Sequence, residues 1–180
     1  MNQELHPETI KYIEGADLKH RKKLGQYFTP RTLREILFSK LPKMKNPKIL
    51  DPAVGTGEFL ITAKTYYPNS QIYGWEIDPA LANISKRVAP YAHIECVDSL
   101  KKREHGKFDF IIGNPPYFEF KPDPEIRAKY SEVFNGRVNI YGIFINRAIQ
   151  LLKDGGHLAL VVPPSMNNGA YFSKLRNFIV

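Results

Sequence analysis

The chain has 180 residues, of which 43% are hydrophobic and 24% are charged, proportions that suit one globular domain with a sizeable core. The 26 Lys and Arg residues exceed the 18 Asp and Glu residues and give a net charge of +8, which favours a polyanionic partner. No segment approaches the roughly 20 apolar residues that cross a bilayer, and the histidines lack metal-ligand spacing. We therefore expect a cytoplasmic protein with no metal and no membrane partner. The single cysteine, Cys96, excludes an internal disulfide and is predicted to be a reduced core thiol.

The first 47 residues are predicted to form a helical arm. Residues 7–23 have a polar helical pattern that ends in the basic cluster HRKK (20–23), which suits either a solvated face or a phosphate contact. In the motif GQYFTP that follows, Thr29 is predicted to cap a helix whose first turn contains Pro30. The stretch LPKMKNP (41–47) is predicted to be a loop.

Strands alternate with helices from Lys48 onward. The predicted strands are KILD (48–51), QIYGWEID (71–78), HIECVD (93–98), FDFIIGN (108–114) and HLALVVP (157–163). Helical patterns cover residues 58–66, 79–89 and 139–153, the last closed by the turn KDGG (153–156). This alternation predicts an α/β domain over residues 48–180, with a mostly parallel sheet covered on both faces. Residues 118–138 are predicted to be a long functional loop.

Acids and glycines follow the first three predicted strands. Gly55 and Gly57 allow a tight turn toward a ligand in front of a helix. Glu76 ends the second strand 19 residues after Gly57, close to the distance of about 20 residues at which nucleotide folds hold ribose hydroxyls. Asp51 and Asp98 end the first and third strands, and Asp98 is placed to accept from an adenine amino group. Acids at three successive strand ends favour a ligand site over helix caps.

The glycine turn favours S-adenosylmethionine over a dinucleotide. The third glycine of the pyrophosphate-binding pattern G-x-G-x-x-G is replaced by Leu60. Asp51 beside the turn would repel a pyrophosphate, whereas it could pair with the ammonium group of a methionine. An NAD-dependent Rossmann dehydrogenase remains an alternative on this pattern.

Five motifs in a fixed order carry a family resemblance. GQYFTP, DPAVGTGEFL, YGWEIDP, CVDSL and NPPY resemble the motifs of the γ-class amino-methylating DNA methyltransferases, the adenine-N6 enzymes of restriction–modification systems of the TaqI type. The likeness spans roughly residues 24–165 and implies a Rossmann-like S-adenosylmethionine-dependent fold that acts on double-stranded DNA. By the resemblance, the methionine end of the cofactor is contacted by Tyr27, Phe28, Thr29, Pro30, Asp51, Gly55 and Gly57.

The remaining cofactor contacts follow from the same resemblance. Glu76 would hold the ribose, Ile77 the face of the adenine, and Asp98 the adenine amino group. Ser99 stands where the TaqI-type methylase carries an aromatic residue, so we expect weaker packing against the cofactor adenine there.

The NPPY motif predicts how an amino group would be activated. An exocyclic amine is a poor nucleophile because its lone pair is delocalised into the ring. The side-chain oxygen of Asn114 and the carbonyl oxygen of Pro115 are suited to accept both N–H bonds, and Pro115 and Pro116 stiffen the backbone. Tyr117 and Phe118 are predicted to stack on a base taken out of the duplex.

Two questions stay open on the sequence. The family fold continues with two more strands, a further aromatic motif and a target-recognition domain that this sequence lacks, so we expect truncation before the last two strands or completion by a separate recognition subunit. The motif NPPY also serves methyltransferases that act on ribosomal RNA bases and on protein glutamine amides. A catalytically inactive cofactor-binding subunit is a further alternative.

Overall fold

The computed structural model describes residues 5–17, 27–131 and 138–164, together with residues 166, 173, 174 and 177. Five strands form the central sheet: β1 (Lys48–Asp51), β2 (Gln71–Glu76), β3 (His93–Cys96), β4 (Phe108–Gly113) and β7 (Leu152–Leu160). They lie in the order β3-β2-β1-β4-β7, and every neighbouring pair is parallel. Two short strands, β5 (Glu119–Phe120) and β6 (Val138–Asn139), form a separate antiparallel pair. The predicted α/β class with a parallel sheet is confirmed.

Six helices connect and flank these strands in the described part of the chain. They are α1 (Pro7–Gly15), α2 (Arg31–Ser39), α3 (Glu58–Tyr66), α4 (Pro79–Val88), α5 (Pro124–Lys129) and α6 (Ile140–Leu151). Helix α4 shows why they begin where they do: Asp78 accepts hydrogen bonds from the N–H groups of Ala80 and Leu81, and Pro79 occupies the first turn. None of the described helices has the length and apolar character to cross a membrane.

The core lies on both faces of the sheet because successive residues of β1 point in opposite directions. Ile49 belongs to a cluster with Phe38 of α2 and Leu60 of α3. Its neighbour Leu50 belongs to a second cluster with Leu151 of α6. All five side chains are buried. The sheet is therefore covered on both sides, as the alternation of elements predicts.

The register of β1 aligns the ends of its neighbours. Asp51 pairs with Gly74 of β2, and Leu50 pairs with Ile111 of β4. Because the three strands are parallel, their last residues, Asp51, Glu76 and Gly113, reach the same edge of the sheet.

Strand β3 is the edge strand, which corrects the expectation for Cys96. The thiol is exposed, because among the described strands β3 pairs with β2 alone, and His93, Glu95 and Cys96 are all exposed. Cys96 is not part of the core.

The start of α2 also differs from the prediction. Pro30 is the residue before the helix, and no side chain caps it. Thr29 is buried and its hydroxyl oxygen instead accepts a hydrogen bond from Asn114 Nδ2. A distant partner therefore takes the oxygen that the local pattern assigns to a cap.

The predicted turn KDGG does not close the last helix. Helix α6 ends at Leu151, and Leu152 already has extended backbone angles and pairs with Phe108. Pairing then resumes at His157 opposite Phe110. The four residues 153–156 thus interrupt the β4–β7 ladder as a bulge.

Residues 118–138 contain regular structure in place of the predicted loop. Strand β5, helix α5 and the first residue of β6 lie in this segment, and Ile126 and Tyr130 are buried there. Residues 132–137 fall outside the described residues, as does the basic cluster at 20–23.

A buried arginine of α6 organises the segment after β3. Arg147 has no solvent exposure. Its guanidinium donates to the carbonyl oxygens of Ser99 at 2.9 Å, Lys102 at 2.6 Å and Glu104 at 2.8 Å. These bonds satisfy carbonyl groups of a segment that belongs to no helix or strand. The segment contains Ser99 and directly follows Asp98.

Replacement of this side chain should destabilise the fold. In Arg147→Met the three carbonyl oxygens lose their donor, and buried unsatisfied acceptors cost about 1–3 kcal/mol each. We expect the free energy of unfolding, measured by urea denaturation, to fall by about 3 kcal/mol or more. The matched control is Arg87→Met, which removes an exposed ion pair with Glu8 and should change stability little. Equal losses in the two variants would contradict the assignment.

Candidate active site

A cavity of about 340 Å³ opens at the carboxyl edge of the sheet. This volume lies within the range of roughly 300–1,000 Å³ typical of small-molecule sites. Most residues singled out from the sequence meet there. The predicted residues that line the cavity are Tyr27, Phe28, Thr29, Asp51, Gly55, Glu76, Ile77, Asp98, Asn114, Pro116 and Phe118.

The glycine turn forms the floor between β1 and α3. Gly55 and Gly57 have φ angles of 55° and 98°, values that other residues seldom adopt. The Gly57 N–H donates to the Val54 carbonyl oxygen at 2.9 Å, which closes the turn. Gly55 lines the cavity, whereas Gly57 lies behind it as the residue that precedes α3.

Glu76 fixes the shape of this turn, a role that the sequence did not suggest. One carboxyl oxygen accepts from the Gly55 N–H at 2.8 Å, and the other accepts from the Asp78 N–H at 3.0 Å. Burial raises the pKa of this carboxyl above its ordinary value. Each oxygen keeps a second lone pair, so the side chain can still accept hydrogen bonds from a ligand.

Asp51 is the most deeply buried acid of the site. It is 1% exposed, and one carboxyl oxygen accepts from the Ala53 N–H at 3.0 Å. Burial raises the pKa of Asp51 to about 7, and the nearby charge of Glu76 adds to the effect. Near neutral pH this carboxyl is therefore partly protonated, and a cation bound beside it would favour the ionised form.

Gly113 makes room for the Asp51 carboxyl. Its φ angle is 142°, and a Cβ atom at this position would lie 2.6 Å from an Asp51 oxygen. The last residue of β4 must therefore be glycine for the acid to sit beside it. In the sequence, this glycine is the second-last residue of the predicted strand FDFIIGN (108–114), and nothing around it indicates the contact with Asp51.

Asn114 follows this glycine, and its amide group is held in one orientation. The side-chain nitrogen donates to the Tyr27 carbonyl oxygen at 2.9 Å and to the Thr29 hydroxyl oxygen at 3.0 Å. With both N–H bonds directed toward the GQYFTP segment, the side-chain oxygen faces the other way. That oxygen accepts a hydrogen bond from the Tyr117 hydroxyl.

Tyr117 lies beside the cavity and is partly buried. Its hydroxyl reaches both the Asn114 side-chain oxygen and the Val161 carbonyl oxygen, the latter at 2.7 Å. Since a phenol carries one hydrogen, it donates to one of them at a time. The ring packs 5.7 Å from the exposed ring of Tyr27 and edge-on to Tyr141 at 6.0 Å. Burial raises the pKa of Tyr117 above its ordinary value, so the hydroxyl keeps its proton.

Two further predicted residues, Pro115 and Pro30, lie away from the cavity lining. Pro115 is buried behind it, and Pro30 is exposed at the start of α2. Ser99, by contrast, lines the cavity although it is almost fully buried, and its hydroxyl donates to the Pro52 carbonyl oxygen at 2.5 Å. Its side chain is thereby engaged with the backbone after β1.

One apolar wall of the cavity was not found from the sequence. Its residues come from α4, from the segment after β3 and from the region between β5 and α6: Leu81, Leu100, Phe120, Ile140 and Phe144. Phe118 belongs to the same wall, since it packs edge-on to Phe120 with ring centroids 6.3 Å apart. Leu81, Leu100 and Phe120 have ordinary core periodicity, so no sequence signal separates them from the core. Ile140 and Phe144 lie in NIYGIF (139–144), which resembles a further motif of the γ-class methyltransferases.

The geometry favours binding and positioning over proton abstraction. Acids and backbone N–H groups line one part of the cavity, apolar side chains line another, and the uncharged Asn114 lies at its rim. In the described ranges no cluster of three or more His, Cys, Asp or Glu side chains could hold a metal ion. Such a site suits a ligand with polar and apolar parts and a second molecule that presents hydrogen-bond donors.

Comparison with known protein families identifies the chain. The family model for the Eco57I restriction-modification methylases matches residues 89–180, just over half of the sequence, including Asn114 and Tyr117. The chain belongs to this family. The resemblance of its motifs to restriction–modification methyltransferases is thereby confirmed.

Curated relatives of this family resemble nearly the whole chain. The modification methylase CviBIII of Paramecium bursaria Chlorella virus NC1A is 33% identical over 100% of this chain and 48% of its own length. The type II methyltransferase M.CvrRI of Paramecium bursaria Chlorella virus XZ-6E is 35% identical over 96% of this chain and 45% of its own length. The chain therefore spans about half the length of the curated relatives it matches.

Solved structures confirm the fold of this family member. A Listeria monocytogenes protein described as a class I S-adenosylmethionine-dependent methyltransferase superposes with a TM-score of 0.76 at 24% identity. The match covers 96% of this chain and 55% of the other. The predicted Rossmann-like methyltransferase fold is confirmed.

Asp51 should make the stability of the protein depend on pH. A free carboxyl has a pKa near 3.9, so between about pH 4 and pH 7 the folded state retains a proton that the unfolded state releases. Wild-type stability should therefore contain a contribution that falls across this window, and Asp51→Asn should remove it. Urea denaturation from pH 4 to pH 8 should show the variant gaining stability relative to wild type up to about pH 7. Asp154→Asn, which changes an exposed carboxyl, should follow the wild-type profile; an Asp51→Asn profile parallel to it would refute the assignment.

Proposed function

We propose that this protein transfers a methyl group from S-adenosylmethionine to the exocyclic N6 amino group of adenine in double-stranded DNA, within a restriction–modification system. The observation that carries the proposal is the fixed carboxamide of Asn114. Its nitrogen is bound by Tyr27 and Thr29, so its oxygen is the atom available to a donor at the rim of the cavity. Family membership and the net charge of +8 support DNA as the substrate.

The residues present fit the cofactor. Asp51 is buried beside the glycine turn and would pair with the ammonium group of the methionine. Glu76 would accept from the ribose hydroxyls with its remaining lone pairs. Ile77 is 67% exposed although it lines the cavity, as expected of a side chain that an adenine ring would cover. The apolar wall with Phe144 would lie around the same ring. When bound, S-adenosylmethionine supplies a methyl group that its sulfonium sulfur has already activated.

Asn114 and Pro115 would prepare the amino group for attack. The Asn114 side-chain oxygen and the Pro115 carbonyl oxygen accept the two N–H bonds and draw the nitrogen toward tetrahedral geometry, which frees its lone pair. Both acceptors are uncharged, so they remain acceptors at any working pH. Their contribution is orientation and electrostatics. The extra proton then leaves to water, and no general base in the site is needed.

The target base would be held outside the duplex by aromatic side chains. Extrusion costs a few kcal/mol, and stacking on one ring returns about 1–3 kcal/mol. Tyr117 is proposed to supply this ring once its hydroxyl leaves the Asn114 oxygen. Phe118 lines the apolar wall, which favours a contact with the cofactor over the stacking role predicted from the sequence. Recognition of the target sequence is proposed to require a separate domain or subunit.

The substrate class can be tested directly. The protein and labelled S-adenosylmethionine are incubated in three separate reactions, one with mixed-sequence duplex DNA, one with ribosomal RNA and one with a release-factor-like protein. Each product is digested and identified by mass spectrometry. The proposal requires N6-methyladenine in the DNA. Methylated RNA or methylglutamine would move the function to the corresponding alternative. Cofactor binding without transfer to any acceptor, even with a complementing recognition subunit, would indicate an inactive subunit.

Removal of the carboxamide should separate chemistry from cofactor binding. In Asn114→Ala the amino group loses an acceptor, so methyl transfer should be abolished while the dissociation constant for S-adenosylhomocysteine changes little. Transfer is measured with labelled cofactor and binding by calorimetry. Asn83→Ala, a change on the exposed face of α4, should keep wild-type values for both. Turnover retained by Asn114→Ala would refute the role.

Glu76 should control cofactor affinity. Glu76→Ala removes the proposed ribose contact and also releases the Gly55 N–H, so the dissociation constant for the cofactor should rise by about tenfold or more, the equivalent of one charge-assisted hydrogen bond. Glu95→Ala is a suitable control, because this acid of the neighbouring strand pairs with Lys102 outside the cavity. Isothermal titration that gives the same constant for Glu76→Ala and wild type would rule the contact out.

A further inference from the structure

The GQYFTP segment makes a contact that a purely cofactor-binding segment would not need. Thr29 is buried, and its hydroxyl oxygen accepts from Asn114 Nδ2 at 3.0 Å. The neighbouring Tyr27 carbonyl oxygen accepts from the same nitrogen at 2.9 Å. An asparagine amide can rotate by half a turn and exchange its oxygen and nitrogen. Two acceptors on one side admit only the orientation with nitrogen toward them.

A buried arginine in turn holds Thr29. Arg34 is 2% exposed, and its Nη1 donates to the Thr29 carbonyl oxygen at 2.5 Å. The same guanidinium pairs with Glu58 at 2.9 Å and donates to the Thr62 hydroxyl at 3.1 Å. A planar fork can satisfy these partners at once, which a lysine cannot do.

The partners of Arg34 connect the segment to the opposite side of the cavity. Glu58 and Thr62 belong to α3, which begins directly after the glycine turn. The second oxygen of Glu58 accepts from the His6 N–H at 2.7 Å. The guanidinium therefore joins α2, the segment that contains Thr29, and the helix behind the cofactor cavity.

Burial of the Arg34–Glu58 ion pair removes both charged groups from water, which costs free energy. A buried ion pair contributes little net stability compared with apolar side chains of the same size, whereas it defines the positions of its partners. The chain carries a comparison on the same helix: Arg31 pairs with Glu35 at 2.7 Å, but both side chains are exposed and neither lines the cofactor cavity. Only the buried arginine reaches Thr29.

We propose that Thr29 and Arg34 are positioning residues that set the orientation of the Asn114 carboxamide, Thr29 by direct acceptance and Arg34 by fixing the Thr29 backbone. This inference rests on the proposed role of Asn114 in methyl transfer. It assigns to Thr29 a task distinct from the cofactor contact expected from its motif. A substitution of Thr29 should change the turnover number if the residue orients Asn114, and the dissociation constant of the cofactor if the residue contacts the cofactor.

Thr29→Val tests the direct contact, because valine keeps the shape of threonine and removes the acceptor. The turnover number should fall by about tenfold, the equivalent of one hydrogen bond of about 1.4 kcal/mol, while the dissociation constant for S-adenosylhomocysteine stays within about twofold. Thr29→Ser restores the hydroxyl and should restore turnover. A changed cofactor constant with unchanged turnover would overturn the proposal in favour of a cofactor contact.

The indirect role of Arg34, through the Thr29 carbonyl oxygen, is tested with Arg34→Lys. The matched control is Arg31→Lys. Lysine keeps the charge opposite Glu58 but cannot also hold the Thr29 carbonyl oxygen. Arg34→Lys should lower turnover by several fold, whereas Arg31→Lys should keep the wild-type rate. Equal rates in the two variants would overturn the role of Arg34.

Nuclear magnetic resonance tests the same contacts without reference to activity. The side-chain amide signals of Asn114 are identified by their loss in Asn114→Ala, and they should shift and exchange faster with solvent in Thr29→Val and Arg34→Lys. They should not change in Arg31→Lys. If no substrate is methylated, the proposed function fails while these signals still decide the positioning inference. Unchanged signals in Thr29→Val would overturn it.

Discussion

Parallel pairing of β1 with both β2 and β4 is the constraint on which the site depends. The chain reverses its order of strands at β1, so the connections after β1 and β4 leave the sheet in opposite directions and a crevice forms between them. Asp51 and Glu76 end β1 and β2, and Asn114 directly follows β4, yet they line one cavity because these strands end at one edge. A shift of β1 by one residue would turn Asp51 to the other face of the sheet. In the observed register Ile49 and Leu50 pack into the two core clusters while Asp51 reaches the cavity, so one alignment of β1 positions both the core and the site.

The strand ends that form the site also bury two carboxyl groups, which lowers the stability of the fold. Asp51 and Glu76 are both buried, and burial raises the pKa of each. A protein selected for stability alone would replace such acids with apolar or amide side chains. Their retention is understandable if a cationic ligand and a diol offset the cost on binding. The burial of Arg34 follows the same logic, since its contacts define positions more than they add stability.

The sequence predicted the elements of the sheet because its signals are local. Apolar runs mark the strands, and acids and glycines mark their ends, so the parallel sheet was found and most of the residues singled out from the sequence line the cavity. The failures involve distant partners. Thr29 has the composition of a helix cap, but Asn114 lies 85 positions away and takes its oxygen. The apolar wall with Phe120 and Phe144 has no polar marker, and only the folded structure shows that β5 and α6 bring these two residues to the cofactor cavity. The hydrogen bond by which Glu76 shapes the glycine turn is likewise visible only in the folded structure.

The hydrogen bond between Tyr117 and the Asn114 oxygen has a consequence for the choice of base. In the proposed reaction, a base that approaches the Asn114 side-chain oxygen must present a hydrogen-bond donor. A base edge without a donor cannot replace the hydrogen bond from the Tyr117 hydroxyl. The amino edges of adenine and cytosine meet that condition, whereas the keto groups of guanine and thymine carry only lone pairs at the corresponding positions. In the proposed reaction, a hydrogen-bond donor would displace the Tyr117 hydroxyl with almost no net loss of bonding, because the hydroxyl can donate to the Val161 carbonyl oxygen instead. An acceptor would not displace it.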